Sequence, residues 1–282
     1  MSMKGLVLEG GALRGLFTAG IIDVMMEHGV QPDGIVGVSA GAAFGCNYKS
    51  LQPGRAVRYN ISFAHDSRYS GLRSLLTTGD YYNAKFAYHT MPEELDPFDT
   101  EAFNRNPMEF HVVCTDVLTG KAVYKKIDEA SHNAYDWIRA SASMPLVSRV
   151  VELDGQKLLD GGVSDSIPLA YFEQAGYQRN LVILTQPSGY RKRPSRLRPL
   201  FRLLLHKYPN MVAALNDRYL MYNHQLDYVA QAEQAGRCMV IRPPMKLPIG
   251  HVSHDPKAMR YVYDIGRQTA QQRLDDIIAF LR

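Results

Sequence analysis

Ser39 stands between Gly37 and Gly41 in the stretch IVGVSAGAAFG, residues 35 to 45. A serine hydroxyl is a weak nucleophile until it is exposed, oriented and relieved of its proton. A sharp strand-to-helix turn supplies exposure and orientation, and glycines two residues to either side let the chain turn that tightly. The same serine also reads as an ordinary helix N-cap. Asp160 opens DGGVSDSIP, where Gly161 and Gly162 permit an unusual backbone path that can aim its carboxylate. Paired with Ser39, that carboxylate can take the serine proton as a general base. Alone, an Asp-Gly pair is a common turn. In EGGALRG, residues 9 to 15, the consecutive Gly10 and Gly11 let backbone N–H groups converge on an anion at a helix start, which suits a phosphate or an oxyanion. Neither Gly-x-Gly-x-x-Gly nor the lysine of a P-loop is present there.

His251 and His254, in GHVSH, complete the order Ser, Asp, His of a hydrolase triad. That arrangement belongs to a fold in which several strands precede the nucleophile, and here only one β-α unit does. A histidine-free dyad fits better. There is no HExxH and no clustered Cys/His spacing, so no metal and no organic cofactor are expected.

The elements that must position these groups are legible as alternating strands and helices. KGLVLEGG reads as a buried strand ending in glycines, and LRGLFTAGIIDVMMEHGV as a helix stopped by Gly29. Residues 35 to 38 form a second strand that runs straight into a helix near Ser39. MEFHVVCTDVLTGKAVYKKI suggests two strands joined at residues 118–121, and RVVELDGQKLLDGG a tight hairpin turning at Asp154-Gly155. NAYDWIRASASMP is expected to be a helix ending at Met144-Pro145, residues 256–281 one closing amphipathic helix, and NLVILTQ and RCMVIRPP further strands. The class is α/β, with a central, mostly parallel mixed sheet between helices.

At 282 residues the chain is near the upper limit of one hydrophobic core. Its 46% hydrophobic and 21% charged residues exclude disorder, and a net charge of +4 gives no case for nucleic acid. No run is long enough to span a bilayer and no secretion signal opens the chain, so a cytoplasmic protein is expected. Cys46, Cys114 and Cys238 are odd in number and lie in apolar surroundings, as reduced core residues do.

Taken in order, these motifs resemble those of the bacterial patatin-like phospholipases over approximately residues 4 to 185. The glycine loop is Gly10-Gly11-Ala12-Leu13-Arg14-Gly15, the nucleophile elbow Gly37-Val38-Ser39-Ala40-Gly41, and the aspartate motif Asp160-Gly161-Gly162. ASASMPLV, residues 140 to 147, and TDVLTGKAVY are similar to the segment before the aspartate hairpin and to the central hairpin. The resemblance implies a three-layer patatin-like fold and acyl-ester hydrolysis through acyl-Ser39, with Asp160 as base and N–H groups of Gly10, Gly11 and Ala12 as oxyanion hole. Arg14 is a supporting residue near that loop. Two positions depart: Ala12 replaces a frequent third glycine, keeping the N–H but narrowing the backbone choices, and Ser166 stands where the family often has Asn. Residues 1–185 are the expected catalytic core, and 186–282 complete or extend the same domain. A protein that binds lipid without turnover is the reading of another class.

Charge is uneven in YRKRPSRLRPLFRLLLHK, residues 190–207, which has seven Lys/Arg and no acidic residue. Such a segment fits peripheral contact with anionic membrane, and equally a solvated surface helix.

Overall fold

A computed structural model describes residues 2–282. Strand β1 (Met3–Leu8) leads through a 3-10 turn (Ala12–Arg14) into helix α1 (Gly15–Glu27), and β2 (Gly34–Val38) leads into α2 (Ala40–Lys49). Helices α3 (Arg55–Ser62) and α4 (Leu72–Thr78), a wide π-helical segment (Phe86–Leu95) and α5 (Thr100–Arg105) form an excursion over one face. The chain returns as β3 (Glu109–Asp116), β4 (Ala122–Lys126), α6 (His132–Ser141) and the hairpin β5 (Val151–Leu153) and β6 (Gln156–Asp160). Then follow α7 (Leu169–Gln174), β7 (Tyr177–Ile183), α8 (Arg198–Leu204), α9 (Pro209–Gln234), β8 (Cys238–Ile241), α10 (Pro256–Gln272) and α11 (Leu274–Leu281).

All eight strands join one sheet, parallel through β3-β2-β1-β7-β8, with β4, β6 and β5 antiparallel at its other end. Strand side chains alternate between faces. Leu6, Leu8, Ile35, Val112 and Ile183 pack with α1, α2, α3, α6 and α10, while Val7, Val36, Val38, Val113 and Val182 pack with α7 and α9. This is a three-layer α/β fold, and burial on both faces explains why β1 and β2 read as near-continuous apolar runs.

Residues beyond 185 extend the same sheet: β8 pairs in parallel with β7. Helix α10 lies along α1, tied by Tyr263 Oη to Asp23 Oδ2 at 2.7 Å and by Arg267 to both oxygens of Glu27 at 2.7 and 2.8 Å.

Two expectations need correction. The closing helix is two helices: Arg273, with φ −113°, interrupts it, and α11 turns towards β7, where the Arg179 guanidinium lies over Phe280. The helix expected to run to Met144 stops at Ser141, whose hydroxyl is spent on the sheet, donating to Val113 O at 2.6 Å. The longest helix, α9, has no clear apolar periodicity to announce it, because its inward face is a mixture of Met211, Leu215, Tyr222 and Val229 with polar side chains. Among the described residues no helix is long and apolar enough to cross a membrane.

Candidate active site

Register brings the first two groups together. Val113 and Cys114 both pair with β4 along one edge of β3; along the other edge Val113 pairs with Val38 of β2 and Cys114 with Asp160 of β6. Strands β2 and β6 therefore run towards each other along a single edge of β3, and their ends meet. The residue after Val38 is Ser39, and its Oγ donates to Asp160 Oδ2 at 2.7 Å.

Ser39 lies at φ 55°, ψ −121°, a left-handed conformation that is strained for a residue with a side chain and persists only when the surroundings fix it. Here Ser141 Oγ accepts from Ser39 N at 2.8 Å while donating to Val113 O. Gly37 and Gly41 flank the turn, and a Cβ on Gly41 would lie 2.4 Å from Leu8 O, so this position needs glycine for close approach. Asp160 is held by its own surroundings: Gly162 N donates to Oδ1 at 2.7 Å, Asp160 N to Ser143 O at 2.8 Å, and Thr115 Oγ1 to Asp160 O at 2.8 Å. A Cβ on Gly161 would be 2.1 Å from Val113 O, so the chain passes over β3 only as glycine. Burial pushes the Asp160 carboxyl above the ordinary aspartate range, and the Arg218 charge, the Ser39 hydroxyl, the Gly162 N–H and the Lys192 charge draw it partly back. A carboxylate so raised is a better proton acceptor than one in water.

The glycine loop faces the elbow. Gly10 lies against Ser39 and the Val38 carbonyl, and Gly11 against Thr185. Ala12 takes φ 48°, the left-handed geometry that glycine adopts freely. Among the described residues no group accepts a hydrogen bond from the backbone N–H of Gly10, Gly11 or Ala12, whereas Arg14 N, two residues on, is bonded to Gly11 O at 3.1 Å. Such unspent donors beside a nucleophile are what an oxyanion needs.

Sequence reasoning missed the residues that set these loops from afar. Glu9 is 1% exposed and accepts from Tyr222 Oη of α9 and from Thr185 N. Gln225 of α9 donates to Asp165 at 2.6 Å and accepts from Ser166 N and Ile167 N. Arg218 Nε donates to Gly162 O at 2.5 Å. No local pattern marks these contacts, which cross 56 to 213 residues of chain.

Cations gather on this side. Arg14 Nη1 meets His251 Nε2 at 2.8 Å, and its buried Nε has no partner. Lys192 Nζ lies 4.7 Å from the centre of the Tyr222 ring, and loss of hydration together with the nearby Arg218 charge brings its pKa down to about 8. Desolvation, then the charges of Arg14, Lys192 and Arg218, push the His251 imidazole below the ordinary histidine range, which leaves it neutral. Neither histidine of GHVSH joins the dyad: His251 faces Arg14, and His254 is bonded to Tyr81 Oη at 3.0 Å and to Ala64 O at 2.6 Å. The expected basic segment divides, because Arg191 is paired with Asp227 and Lys192 turns inward.

On the other side of Ser39 a pocket with about 880 Å³ of empty space, mouth included, extends between α2, α3, the segment 86–95 and α6. Near Ser39 its walls are Ala12, Leu13, Ala40, Ala43 and Met144; elsewhere Tyr88, Met91 and Ile138 contribute. Its walls are mostly apolar, with Arg55 and Asn60 among them.

The patatin-like phospholipase family model matches residues 6–173, which contain the glycine loop, the elbow and Asp160. Residues 208–282, from the start of α9 to the end of the chain, match a domain of unknown function, DUF6363. The uncharacterized protein YjjU of Escherichia coli is 28% identical over 93% of this chain and 74% of its own. The uncharacterized NTE family protein Rv1063c of Mycobacterium tuberculosis is 28% identical over 68% of this chain and 51% of its own. The lysophospholipase NTE1 of Phaeosphaeria nodorum is 26% identical over 93% of this chain, which spans only 18% of that much longer protein. Among solved structures, VipD from Legionella pneumophila aligns with 98% of this chain and 67% of its own at 12% identity, with a TM-score of 0.48.

Proposed function

Because this chain belongs to the patatin-like phospholipase family, we propose that it is a serine acyl hydrolase cleaving fatty-acyl esters of lipids through a covalent acyl-Ser39. The observation that carries this reading is the 2.7 Å hydrogen bond from Ser39 Oγ, at a left-handed elbow, to the buried Asp160 carboxylate. As Ser39 Oγ attacks the ester carbonyl, its proton passes to Asp160 Oδ2. The tetrahedral oxyanion forms against the N–H groups of Gly10, Gly11 and Ala12. Collapse breaks the ester C–O bond, and Asp160 returns the proton to the departing alcohol. Water then attacks the acyl-serine with Asp160 again taking the proton, which releases fatty acid and restores Ser39.

Both sides of Ser39 support a single-chain lipid ester with an anionic headgroup, such as a lysophospholipid. The pocket beside Ser39 is walled mostly by apolar side chains, as an acyl chain requires. On the opposite side Arg14, Lys192 and Arg218 make their direct contacts with neutral partners, so with Glu9 and Asp160 offsetting their charge only through space, they hold no ion pair that an incoming phosphate would have to break. Arg193, Arg196 and Arg202, beside the exposed Leu197, Leu200, Leu203 and Leu204 of α8 and its approach, fit peripheral contact with an anionic membrane.

The direct test is labelling with a fluorophosphonate, followed by fatty-acid release from lysophosphatidylcholine, for wild type, Ser39→Ala and Asp160→Asn. Labelling and release in wild type, with both lost in Ser39→Ala, is the expected result. Absence of both from wild type presented with lipid would leave a lipid-binding protein without turnover, and labelling of Asp160→Asn at the wild-type rate would remove Asp160 as the base.

A further inference from the structure

A second cluster of chemically able side chains lies on the outer wall of the acyl pocket. His89 and Glu93 are four residues apart on the π-helical segment, and His132 opens α6. One ligand atom from each lies within 4.8 Å of the other two. His132 Nε2 is 2.9 Å and His89 Nδ1 is 3.7 Å from the same oxygen, Glu93 Oε1. A tetrahedral ion with bonds near 2.0–2.1 Å separates its ligand atoms by about 3.3 Å, and the two distances to Glu93 Oε1 fall on either side of that value. The two imidazoles meet edge to face with centroids 5.3 Å apart.

The other nitrogen of His89 is also provided for. Nε2 lies 3.5 Å from Asp136 Oδ1, one turn beyond His132 on α6. A metal-binding histidine characteristically gives its free N–H to a carboxylate, which fixes the tautomer and turns the ligating nitrogen towards the ion. Arg139, 3.3 Å from the same Asp136 oxygen, holds that carboxylate in place from the far side. Glu93 and His132 are partly open to solvent, which gives an ion a route in and leaves room for water as a further ligand.

We propose that His89, Glu93 and His132, with Asp136 orienting His89, form a binding site for a divalent transition ion of the zinc class that ties the segment 86–95 to α6. Two imidazoles and one carboxylate suit Zn²⁺, Co²⁺ or Ni²⁺, whereas Ca²⁺ and Mg²⁺ demand oxygen ligands. The site's role is to brace the pocket wall: Tyr88 and Met91 on one tied element, and Tyr135 and Ile138 on the other, line the pocket. The ion takes no part in the chemistry at Ser39, and the inference stands whether or not that chemistry is hydrolytic.

The test uses metal-free, untagged full-length protein, titrated with Co²⁺ by visible absorption and with Zn²⁺ by calorimetry. One saturable equivalent is expected, with a rise in thermal midpoint on Zn²⁺ and none on Mg²⁺. His132→Ala, at an exposed position the fold tolerates, and Glu93→Gln should each weaken binding about tenfold or more and abolish the midpoint rise; Asp136→Asn should weaken binding less while keeping the stoichiometry. No saturable binding by wild type, or binding undiminished in both His132→Ala and Glu93→Gln, would overturn the site. Circular dichroism of each variant separates loss of ligand from loss of fold.

Discussion

On one side of Ser39 the chain encloses an apolar pocket built from α2, α3, the segment 86–95 and α6; on the other it gathers Arg14, Lys192, Arg218 and His251. The pocket side is made by burial and tolerates exchange among apolar residues of similar size. The cationic side is made by three like charges, Arg14, Lys192 and Arg218, beside a neutral His251, and the buried Glu9 and Asp160 carboxylates offset them in part. In the proposed hydrolase the first side would select how long a chain is accepted and the second what the chain is esterified to. Ser39 and Asp160 lie where they meet.

The largest effect should come from removing that meeting point. Ser39→Ala should lower kcat/KM by about three orders of magnitude or more for every ester, charged or neutral, long or short. A substrate spared by this change would place the chemistry elsewhere.

Acidification should act next, and again on all substrates alike. Burial raises the Asp160 pKa, so its basic form is lost as pH falls through a value above the 3.9 of an aspartate in water, with kcat/KM dropping about tenfold per pH unit below it. In stability the sign is opposite. A carboxyl with a raised folded pKa favours the fold fully below its unfolded pKa, and that contribution fades as pH rises through the folded value. A pH-rate profile and a pH series of thermal midpoints should therefore move in opposite directions across this window as far as Asp160 determines them.

Lys192→Gln separates the two sides. It should reduce kcat/KM for a lysophospholipid about tenfold, and for the matching monoacylglycerol less than about twofold. Equal losses would mean that Lys192 supports the fold rather than the headgroup. Ala43→Leu makes the reciprocal cut by filling the pocket: long acyl chains should lose about fivefold relative to acetyl or butyryl esters of the same alcohol. A uniform decline across chain lengths would show that the chain leaves Ser39 by another path.

The smallest effect belongs to the loop shared by both sides. Ala12 holds φ 48°, which costs a residue with a Cβ about 1 kcal/mol, and Ala12→Gly relieves that strain while loosening the unfolded chain. These contributions oppose each other. The thermal midpoint should move by no more than about 4 °C and turnover by less than about threefold. A large gain in turnover would identify Ala12 as a deliberate brake.

The same two sides explain what could be read from the amino acids alone. Ser39, Asp160 and the glycine loop carry local signatures because tight turns restrict residue type within a few positions, and β1, β2 and the hairpin ending at Asp160 are framed by those turns. Arg218, Tyr222 and Gln225 carry none. They act from a helix whose inward face is too polar to show an apolar period, on partners fixed only once β7 and β8 have closed the sheet. Lys192 sits in a run of charges that looks uniformly solvated, and only its place over the Tyr222 ring distinguishes it from Arg193. His89, Glu93 and His132 escaped for a different reason: their proximity depends on a 10-residue π-helical segment and a helix start that are far apart in the chain.

Helix α9 touches the carboxylate beneath the glycine loop through Tyr222, and the segment after Asp160 through Arg218 and Gln225. It therefore works as a gauge block between two parts that belong to a different stretch of the chain. A recombinant chimera joining the first 185 residues of one relative to the tail of another would inherit its nucleophile and base intact and still mis-set the distance between them, unless Glu9 and Asp165 travelled with the tail that measures them.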